Sequence, residues 1–564
     1  MKWIAQPLAS EKTAEHLSEV LGVSPVISQL LAQRGIDSYD QAKTFFRPRW
    51  EQLHDPFLMQ DMTVAVDRIV TAIERQEKVM IFGDYDVDGT SAVALVYSYL
   101  QDKIKHLTPY IPDRYKEGYG ISIAGIDTAK AEGISLIIAL DCGIKAIDQV
   151  TYAKKLGIDF LICDHHLPGD QLPEAIAVLD PKRSDCAYPF KELCGCGIGF
   201  KLIQALQQQS QLPEEALFPY LDLVATAIAA DIVPIIGENR ILTFLGIEQL
   251  NRQPRNGFQF FLKALKKPVR VTDLVFVIAP RINAAGRMDH GLNAVQLLTA
   301  KDPEEALPIA RSIEFYNSER RATDERITQE ALQQILLKEQ QETFSTVVFH
   351  SSWHKGVIGI VASRLIETYY RPTVVLTESE GILSGSVRSV RGFDVYKALE
   401  ACKGHMIQFG GHKYAAGLTL KPEQLEGFME TFEAYVKEHI LPEQRLPSLT
   451  YDLVLSFVVL THKLLRILNQ MGPFGPKNMR PVFVTHHCKD TGNTRLVGKK
   501  EEHLKLEITD QSGVKIQGIA FGMGEHLISI KNQIPFSILY TLEENEYNGI
   551  VSLQLKVKDL KFEP

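Results

Sequence analysis

Residues 79–90 read Val79-Met-Ile-Phe82-Gly83-Asp84-Tyr85-Asp86-Val87-Asp88-Gly89-Thr90. The opening apolar run predicts a buried strand, and the glycine and acids after it mark the strand's end. Similar runs recur at Leu136 to Leu140, Phe160 to Cys163 and Ile176 to Leu179, with helical stretches between them. Strands that alternate with helices indicate βαβ units and a parallel sheet. The four runs are followed by Gly83-Asp84, Asp141, Asp164 and Asp180. Acidic residues therefore collect at the carboxyl ends of strands, where open α/β sheets bind ligands.

Outward from this centre the pattern changes in both directions. Residues 1–45 read as short helices and turns, an N-terminal helical adaptor without chemistry, and the α/β unit is expected over 46–316. Residues 317–342 hold no Gly or Pro and carry Ile327, Ala331 and Ile335 at helical spacing, which predicts a one-sided connector helix over 317–343. Strand-like Thr346 to Phe349, helical Val357 to Thr368 and strand-like Thr373 to Leu376 begin a smaller α/β unit, expected over 344–440. Over 441–564 the pattern becomes all-β, with short strands at Pro481 to Thr485, Leu504 to Ile508, Val514 to Ala520 and Phe536 to Leu542. Turns are expected at Asp510-Gln-Ser-Gly513 and Asn548-Gly549.

The chain of 564 residues is 45% hydrophobic and 23% charged, which excludes a disordered or collagen-like protein. Its longest apolar stretches are interrupted, as Leu221 to Ile236 is by Asp222 and Asp231, so no membrane helix is expected. The N-terminus lacks an apolar core behind its single charge and does not read as a signal peptide. Seven scattered cysteines fit reduced thiols, and a cytoplasmic protein is expected. Cys194 and Cys196 stand too close for a zinc pair and have no second pair at the right distance. A net charge of −8 opposes a uniformly basic nucleic-acid binder. Residues 450–564 nonetheless carry 14 Lys and Arg against 12 Asp and Glu, so contact with nucleic acid would come from local basic grooves.

Asp84, Asp86 and Asp88 stand at alternate positions, and alternate residues of an extended segment face one way. Converging carboxylates repel one another unless a cation neutralises them. The alternative is a solvated turn in which Asp88 caps a helix starting near Ser91. A calcium loop is excluded because Leu95 stands where a bidentate Glu is needed. A haloacid-dehalogenase-type phosphatase with a covalent Asp nucleophile is the best local rival, but no matching Gly-Asp-x-x-x-Asp run follows. Asp141, Asp164-His165-His166 and Asp231 add more acids and two imidazoles, and adjacent histidines on a strand are expected to point to opposite faces. An oxygen-rich set of this size suits two Mn²⁺ or Mg²⁺ ions sharing a bridging Asp. Such a pair activates a bridging water and stabilises attacking and leaving oxygens in phosphoryl transfer.

Asp84-Tyr-Asp86-Val-Asp88-Gly, Asp141, Asp164-His165-His166 and Ala230-Asp231 resemble the motifs of the DHH phosphoesterase superfamily. Pro280-Arg281-Ile-Asn283-Ala-Ala-Gly-Arg287, Trp353-His354-Lys-Gly356-Val-Ile-Gly359, Gly385-Ser386-Val-Arg388 and Gly410-Gly411-His412 are similar to those of its RecJ branch, bacterial single-stranded-DNA-specific exonucleases. The resemblance is close over about residues 45–430 and looser in the C-terminal β region, which matches that family's OB domain in position.

The resemblance implies a parallel-sheet α/β DHH domain, a long helix, a smaller α/β DHH-associated domain and an all-β OB-like domain. It makes Asp84, Asp86, Asp88, Asp141, His165 and Asp231 the metal shell, with Asp141 as bridge and His166 and Asp164 supporting it or facing phosphate. Arg281 would clamp phosphate, with Asn283 beside it. Ser386 and Arg388 would hold a DNA 5′-phosphate, joined by His354, His412 and Arg114 across a cleft. For Arg114 a solvated loop is the competing reading. Gly410 and Gly411 would form an anion nest or, alternatively, a tight turn at a helix start. Arg495, Lys499 and Lys500 fit an OB groove and a solvated hairpin equally well.

The implied activity is 5′→3′ hydrolysis of single-stranded DNA to 5′-mononucleotides in repair and recombination. The implied partners are single-stranded DNA, a single-stranded-DNA-binding protein and a RecQ-type helicase, with no membrane and a monomeric chain. The alternatives are a DHH hydrolase of short oligonucleotides, phosphoadenosine phosphate or cyclic dinucleotides, and a DNA-binding scaffold without catalysis.

Overall fold

The computed structural model describes residues 1–547 and 549–563. Two compact bodies divide the chain. The larger holds Trp3–Tyr110, Gly120–Ala279 and the chain from Leu449 on, and the smaller holds Met1–Lys2, Ile111–Tyr119 and Pro280–Ser448.

In the larger body, strands β1 (Val79–Gly83), β2 (Leu107–Tyr110), β3 (Leu136–Leu140), β4 (Asp159–Cys163) and β5 (Ala177–Leu179) form a sheet of order β2-β1-β3-β4-β5. Every pairing in it is parallel, with Val79 opposite Leu136 and Leu136 opposite Asp159. β1 and β3 are buried along their whole length, as strands covered on both faces must be. β2 reads Leu107-Thr-Pro-Tyr110, and its threonine and proline hide it from a search for apolar runs. Helices α1 (Val87–Leu100), α2 (Gly195–Gln209) and α3 (Leu221–Ala230) are almost wholly buried against this layer.

The C-terminal part of the same body is β-rich. Its long antiparallel pair, Phe536–Tyr547 with Ile550–Phe562, is flanked by Phe483–Asp490 on one side and Lys515–Ala520 on the other. An extra pairing of Phe483–Asp490 with His503–Thr509 closes the sheet on itself. The turn expected at residues 510–513 is present, with Gly513 at φ +79° and the Asp510 carboxylate accepting the Ser512 amide at 3.0 Å. Of the other expected turn, Asn548 lies outside the described residues. The N-terminal helices contribute Leu17, Ile27, Leu30 and Leu31 to the same core as Phe483, Phe536 and Tyr540. The first 45 residues thus extend the hydrophobic core of the β-rich region.

The smaller body contains a mixed sheet of Thr346–Phe349, Thr373–Ser379, Ile382–Arg388, Ala415–Leu420 and Gln408–His412, with neighbours paired in that order. The connector helix, expected from 317, is Pro303–Leu337. The Asp302 side chain caps it by accepting the Glu305 amide at 2.8 Å, and Pro303 occupies the first helical position, where its missing N–H costs nothing. The helix thus begins fourteen residues before the expected start and continues through Pro308. The expected stripe is present: Ile327, Ala331 and Ile335 are buried with Val348, Trp353 and Val361. Among the described residues, no helix is long and apolar enough to cross a membrane.

Candidate metal centre and cationic pocket

The carboxyl ends of β1, β3 and β4 deliver the acidic cluster. After Gly83 the chain leaves the sheet, and Asp86 caps α1 by accepting the Gly89 amide at 3.0 Å. Asp88 thus lies in the first turn of the helix, not in an extended segment, and the expected alternation is not what aims it. Its carboxylate sits on the start of α2, accepting the Gly195 amide at 2.6 Å and the Cys196 amide at 2.8 Å. Backbone donors at a helix N-terminus favour an anion there. Asp84 is buried at the end of β1, and Gly89 is packed so closely against it that a Cβ would come within 2.5 Å of its backbone.

Asp141 follows β3 at φ +60°, a left-handed conformation that Asp tolerates better than most side chains. Its amide donates to the Cys163 carbonyl at 2.8 Å, which pins the loop to β4. A Cβ on Gly195 would stand 2.5 Å from the Asp141 side chain, so glycine is needed there for the two to coexist. Asp231 ends α3 and enters the same space. His165 Nε2 lies 3.2 Å from Asp141 Oδ1, 3.6 Å from Asp231 Oδ2 and 3.9 Å from Asp88 Oδ2.

The two histidines do not diverge as expected. β4 ends at Cys163, and the Asp164 carboxylate then accepts the amides of Ile144, His165 and His166 at 2.8, 2.7 and 3.1 Å. The chain folds around that carboxylate instead of continuing as a strand, and the two rings stand 4.6 Å apart. Asp164 also holds His166 Nδ1 at 2.7 Å, so Asp141, His165 and His166 converge.

The protonation behaviour follows from this crowding. Burial raises the pKa of Asp141 far above the usual carboxylate range, and the charges of Asp88, Asp86 and Asp231 add to it. Burial and the nearby Asp88 and Asp86 push Asp231 up to about 8. Burial lowers His165 to about 4, favouring a neutral, ligating imidazole. Burial disfavours charge on both partners of the Asp164–His166 pair, but their hydrogen bond and mutual attraction, with the Ile144 and His166 amides at Asp164 and nearby carboxylates at His166, together outweigh it, raising His166 and lowering Asp164. Asp141 Oδ1 and His165 Nδ1 are buried without a hydrogen-bond partner. A buried carboxylate oxygen in that state carries a desolvation cost that a cation would relieve. The donor set, carboxylates with one neutral imidazole, fits Mn²⁺ or Mg²⁺. Two overlapping groups, Asp141/His165/His166 and Asp88/His165/Asp231, offer converging ligand atoms.

The smaller body gathers a different cluster. The loop Ile111–Tyr119 belongs to it and brings Arg114 and Tyr115 to His354 and Arg287. The Tyr115 hydroxyl donates to the Arg287 carbonyl, and Arg287 Nη1 donates to the Gly356 carbonyl at 2.9 Å. Arg388 Nη1 donates to Ser386 Oγ at 3.0 Å. Burial, with the neighbouring charge of Arg114, lowers the pKa of both Arg388 and His354. Half-buried basic groups that disfavour one another's charge make a receptor for an anion. Gly359 keeps the space over it open, because a Cβ there would stand 2.9 Å from both Ser386 Oγ and Arg388 Nη2.

Other expected residues are placed differently. Arg281 and Asn283 lie half-buried on the helix Ala279–Met288, and the Arg281 guanidinium is held by Glu314, with Nε 2.6 Å from Oε2 and Nη2 3.2 Å from Oε1. Its fork is therefore engaged by a carboxylate in this structure. Gly410, Gly411 and His412 form neither a nest nor a helix start. They lie exposed on the edge strand Gln408–His412, paired antiparallel with Ala415–Leu420. Successive amides of a strand point to opposite sides and cannot cradle one anion. Gly411 is required there by its approach to the neighbouring strand, where a Cβ would lie 2.5 Å from the Ala415 carbonyl oxygen. Sequence reading gave no role to Gly195, and it quoted Gly356 and Gly359 only as part of a motif. The signal for Gly195 was Cys194-Gly-Cys-Gly, read only as a failed zinc motif, although Cys194 caps α2 and both thiols stay buried and neutral.

Three family models match the chain in order: the DHH family N-terminal domain over residues 78–228, the DHHA1 domain over 341–438 and the RecJ OB domain over 451–559. The single-stranded-DNA-specific exonuclease RecJ of Bacillus subtilis (strain 168) is 37% identical over 99% of this chain and 70% of its own length. The chain belongs to the RecJ family. RecJ of Escherichia coli (strain K12) is 32% identical over 98% of this chain and 97% of its own length. The crystal structure of RecJ in complex with Mn²⁺ from Thermus thermophilus is 24% identical and shares the fold, with a TM-score of 0.86 over 100% of this chain and 80% of that one. A Mg²⁺ complex of that RecJ superposes with a TM-score of 0.79 over 100% of this chain and 78% of that one, at 23% identity.

Proposed function

We propose that this RecJ-family chain is a metal-dependent exonuclease that degrades single-stranded DNA from the 5′ end to 5′-mononucleotides during repair and recombination. The observation that carries the reading is the convergence of Asp88, Asp141 and Asp231 on the neutral imidazole of His165, with a buried Asp141 oxygen lacking a partner. Asp84, Asp86, Asp88, Asp141, His165 and Asp231 would hold two Mn²⁺ or Mg²⁺ ions, with Asp141 as the shared ligand that the family resemblance implies. Bound there, the ions supply Lewis acidity and neutralise charge on the phosphoryl oxygens.

The residues of the chain set the geometry of the reaction. The Gly195 and Cys196 amides fix the Asp88 carboxylate, and Asp164 fixes the His166 ring through Nδ1. His166, whose pKa the Asp164 hydrogen bond and charge raise against the effect of burial, faces the phosphate and in its protonated form offers it a positive hydrogen-bond donor. Arg114, Ser386 and Arg388 take the 5′-phosphate, with His354 beside them. Arg281 and Asn283 contact the following backbone once phosphate competes with Glu314 for the guanidinium. His412, exposed on its edge strand, is available to the substrate. We also infer a domain division at 45, 343 and 440, with the connector helix beginning at Pro303 instead of 317, a cytoplasmic monomer, and a single-stranded-DNA-binding protein and a RecQ-type helicase as partners.

The test is incubation of the full chain with Mn²⁺ and single-stranded oligonucleotides labelled at one end or the other. Immediate release of a mononucleotide from the 5′-labelled strand, with gradual shortening of the 3′-labelled one, is expected. Turnover of dinucleotides alone, or binding without turnover, would overturn the reading.

A further inference from the structure

Asp231 and Ile232 break two local rules at once. Asp231 is the C-cap of α3, so its carboxylate sits at the negative end of the helix, where a cation would be favoured. Ile232 then takes φ +60° in the position after the cap, where glycine is the usual choice. A β-branched side chain is the least suited of all to that conformation. The charge at Asp231 is accounted for by the metal centre. Ile232 is 68% exposed while Val233 and Ile235 beside it are buried.

The strain does not arise from a loose loop. The Asp231 amide is held by the Ala227 carbonyl at 2.9 Å, the Pro234 carbonyl accepts from Asn239 Nδ2 at 3.1 Å, and the Ile235 amide donates to the Pro476 carbonyl at 2.8 Å. Pro234 also restricts Val233 to extended backbone. The turn at 232 is thus imposed from both sides, and Gly or Asn would meet it at lower cost. A single exposed isoleucine is ordinary, but one kept in a left-handed turn next to a metal-site carboxylate is not. Consecutive Cα atoms lie only about 3.8 Å apart, so the backbone of this exposed apolar residue adjoins that of the centre's Asp231.

We infer that Ile232 is a substrate-contact residue that packs against the face of a nucleobase beside the scissile phosphate. This rests on the function proposed above. A single DNA strand offers charged phosphates, sugars and flat, weakly polar bases, and the base faces are the broadest surface against which an aliphatic side chain can be buried. Contact with a base face, without hydrogen bonds to its edge, positions the strand whatever its sequence.

The experiment uses the full chain with Mn²⁺, 5′-phosphorylated oligonucleotides that are intact or carry one abasic nucleotide at the first, second or third position, and the variants Ile232→Asn and Ile232→Gly. The wild type is expected to lose about tenfold in kcat/KM at one abasic position, the scale of a lost small apolar contact. Both variants should lose a similar factor on the intact strand, show no further loss at that position, and unfold at or above the wild-type temperature. Variants that keep the wild-type rate and discrimination would overturn the inference. So would an equal loss on intact and abasic strands, which a purely structural role would give. A wild type that does not cut the intact strand would overturn the proposed function itself, and this contact with it.

Discussion

At Asp141, a carboxylate in a left-handed turn presents a buried oxygen with no hydrogen bond, and Gly195 is the neighbour that leaves room for it. Replacing Asp141 by Ala removes the proposed shared ligand, and the expected result is loss of exonuclease activity by about three orders of magnitude or more together with weakened Mn²⁺ binding, read by titration calorimetry. Wild-type turnover in that variant would refute the bridge. Gly195→Ala is subtler, since the new methyl stands 2.5 Å from the Asp141 side chain and must displace it. Metal affinity should fall about 10- to 100-fold, the usual size of a disturbed support for a ligand. In the smaller body, Arg388 is half-buried beside Ser386 and within the field of Arg114. Arg388→Ala should cost about 10- to 100-fold in kcat/KM on a 5′-phosphorylated strand, equivalent to losing one or two charge-assisted hydrogen bonds, and much less on a 5′-hydroxyl strand. Equal losses on both strands would remove the phosphate assignment.

At the scale of elements, the helix Pro303–Leu337 shows what holds the smaller body together. Asp324 is fully buried on it, with Oδ2 3.1 Å from Arg320 Nη1 and Oδ1 2.7 Å from Arg364 Nη2. Arg364 lies on Ile358–Thr368, so this carboxylate ties two helices. Asp324→Ala leaves the largely buried Arg320 without its charge partner and should destabilise the protein by about 3 kcal/mol in denaturant unfolding. A cost under about 0.5 kcal/mol would mark the pair as an ordinary surface interaction. Such ties are invisible in the sequence, which places Asp324 in a charged run like any other. The parallel strands were legible because a doubly covered strand must be a continuous apolar run, as Leu136–Leu140 is. Asp84, Asp141 and Asp164 were legible as candidates because they stand directly after those runs, whereas Asp88 and Asp231 reach the cluster from the ends of helices. Strand Ile382–Arg388 was not legible as a strand, since Ser384, Gly385 and Ser386 interrupt its apolar pattern. The hairpin of Gln408–His412 was hidden because its glycines suit turns and strands alike and only pairing with Ala415–Leu420 decides between them. The paired histidines were misjudged because the chain folds around the Asp164 carboxylate, a contact between three backbone amides and one side chain that period-2 reasoning does not contain.

Taken as a whole, the molecule links its stability to protons and metal through the crowded centre. Asp231 is raised to about 8, Asp180 to about 7, and Asp141 and His166 also titrate above their ordinary values, for the carboxylates chiefly because of burial. Groups raised in the folded state bind more protons there than in the unfolded chain, so their contribution is complete at low pH and is lost as pH rises through the folded values. His165, lowered to about 4, acts oppositely, but only between that value and its ordinary 6.5. Between about pH 6.5 and 8 the raised groups act alone, and the metal-free protein is expected to melt at progressively lower temperature across that window. Saturating Mn²⁺ should remove this fall or reverse it, because the ion replaces the protons that the carboxylates otherwise retain, and its binding strengthens as they leave. The measurement is a set of melting curves in chelator and in Mn²⁺ at half-unit steps over that range. Parallel curves, with the same slope in both conditions, would show that the carboxylates do not exchange protons for metal and would remove them from the ligand set.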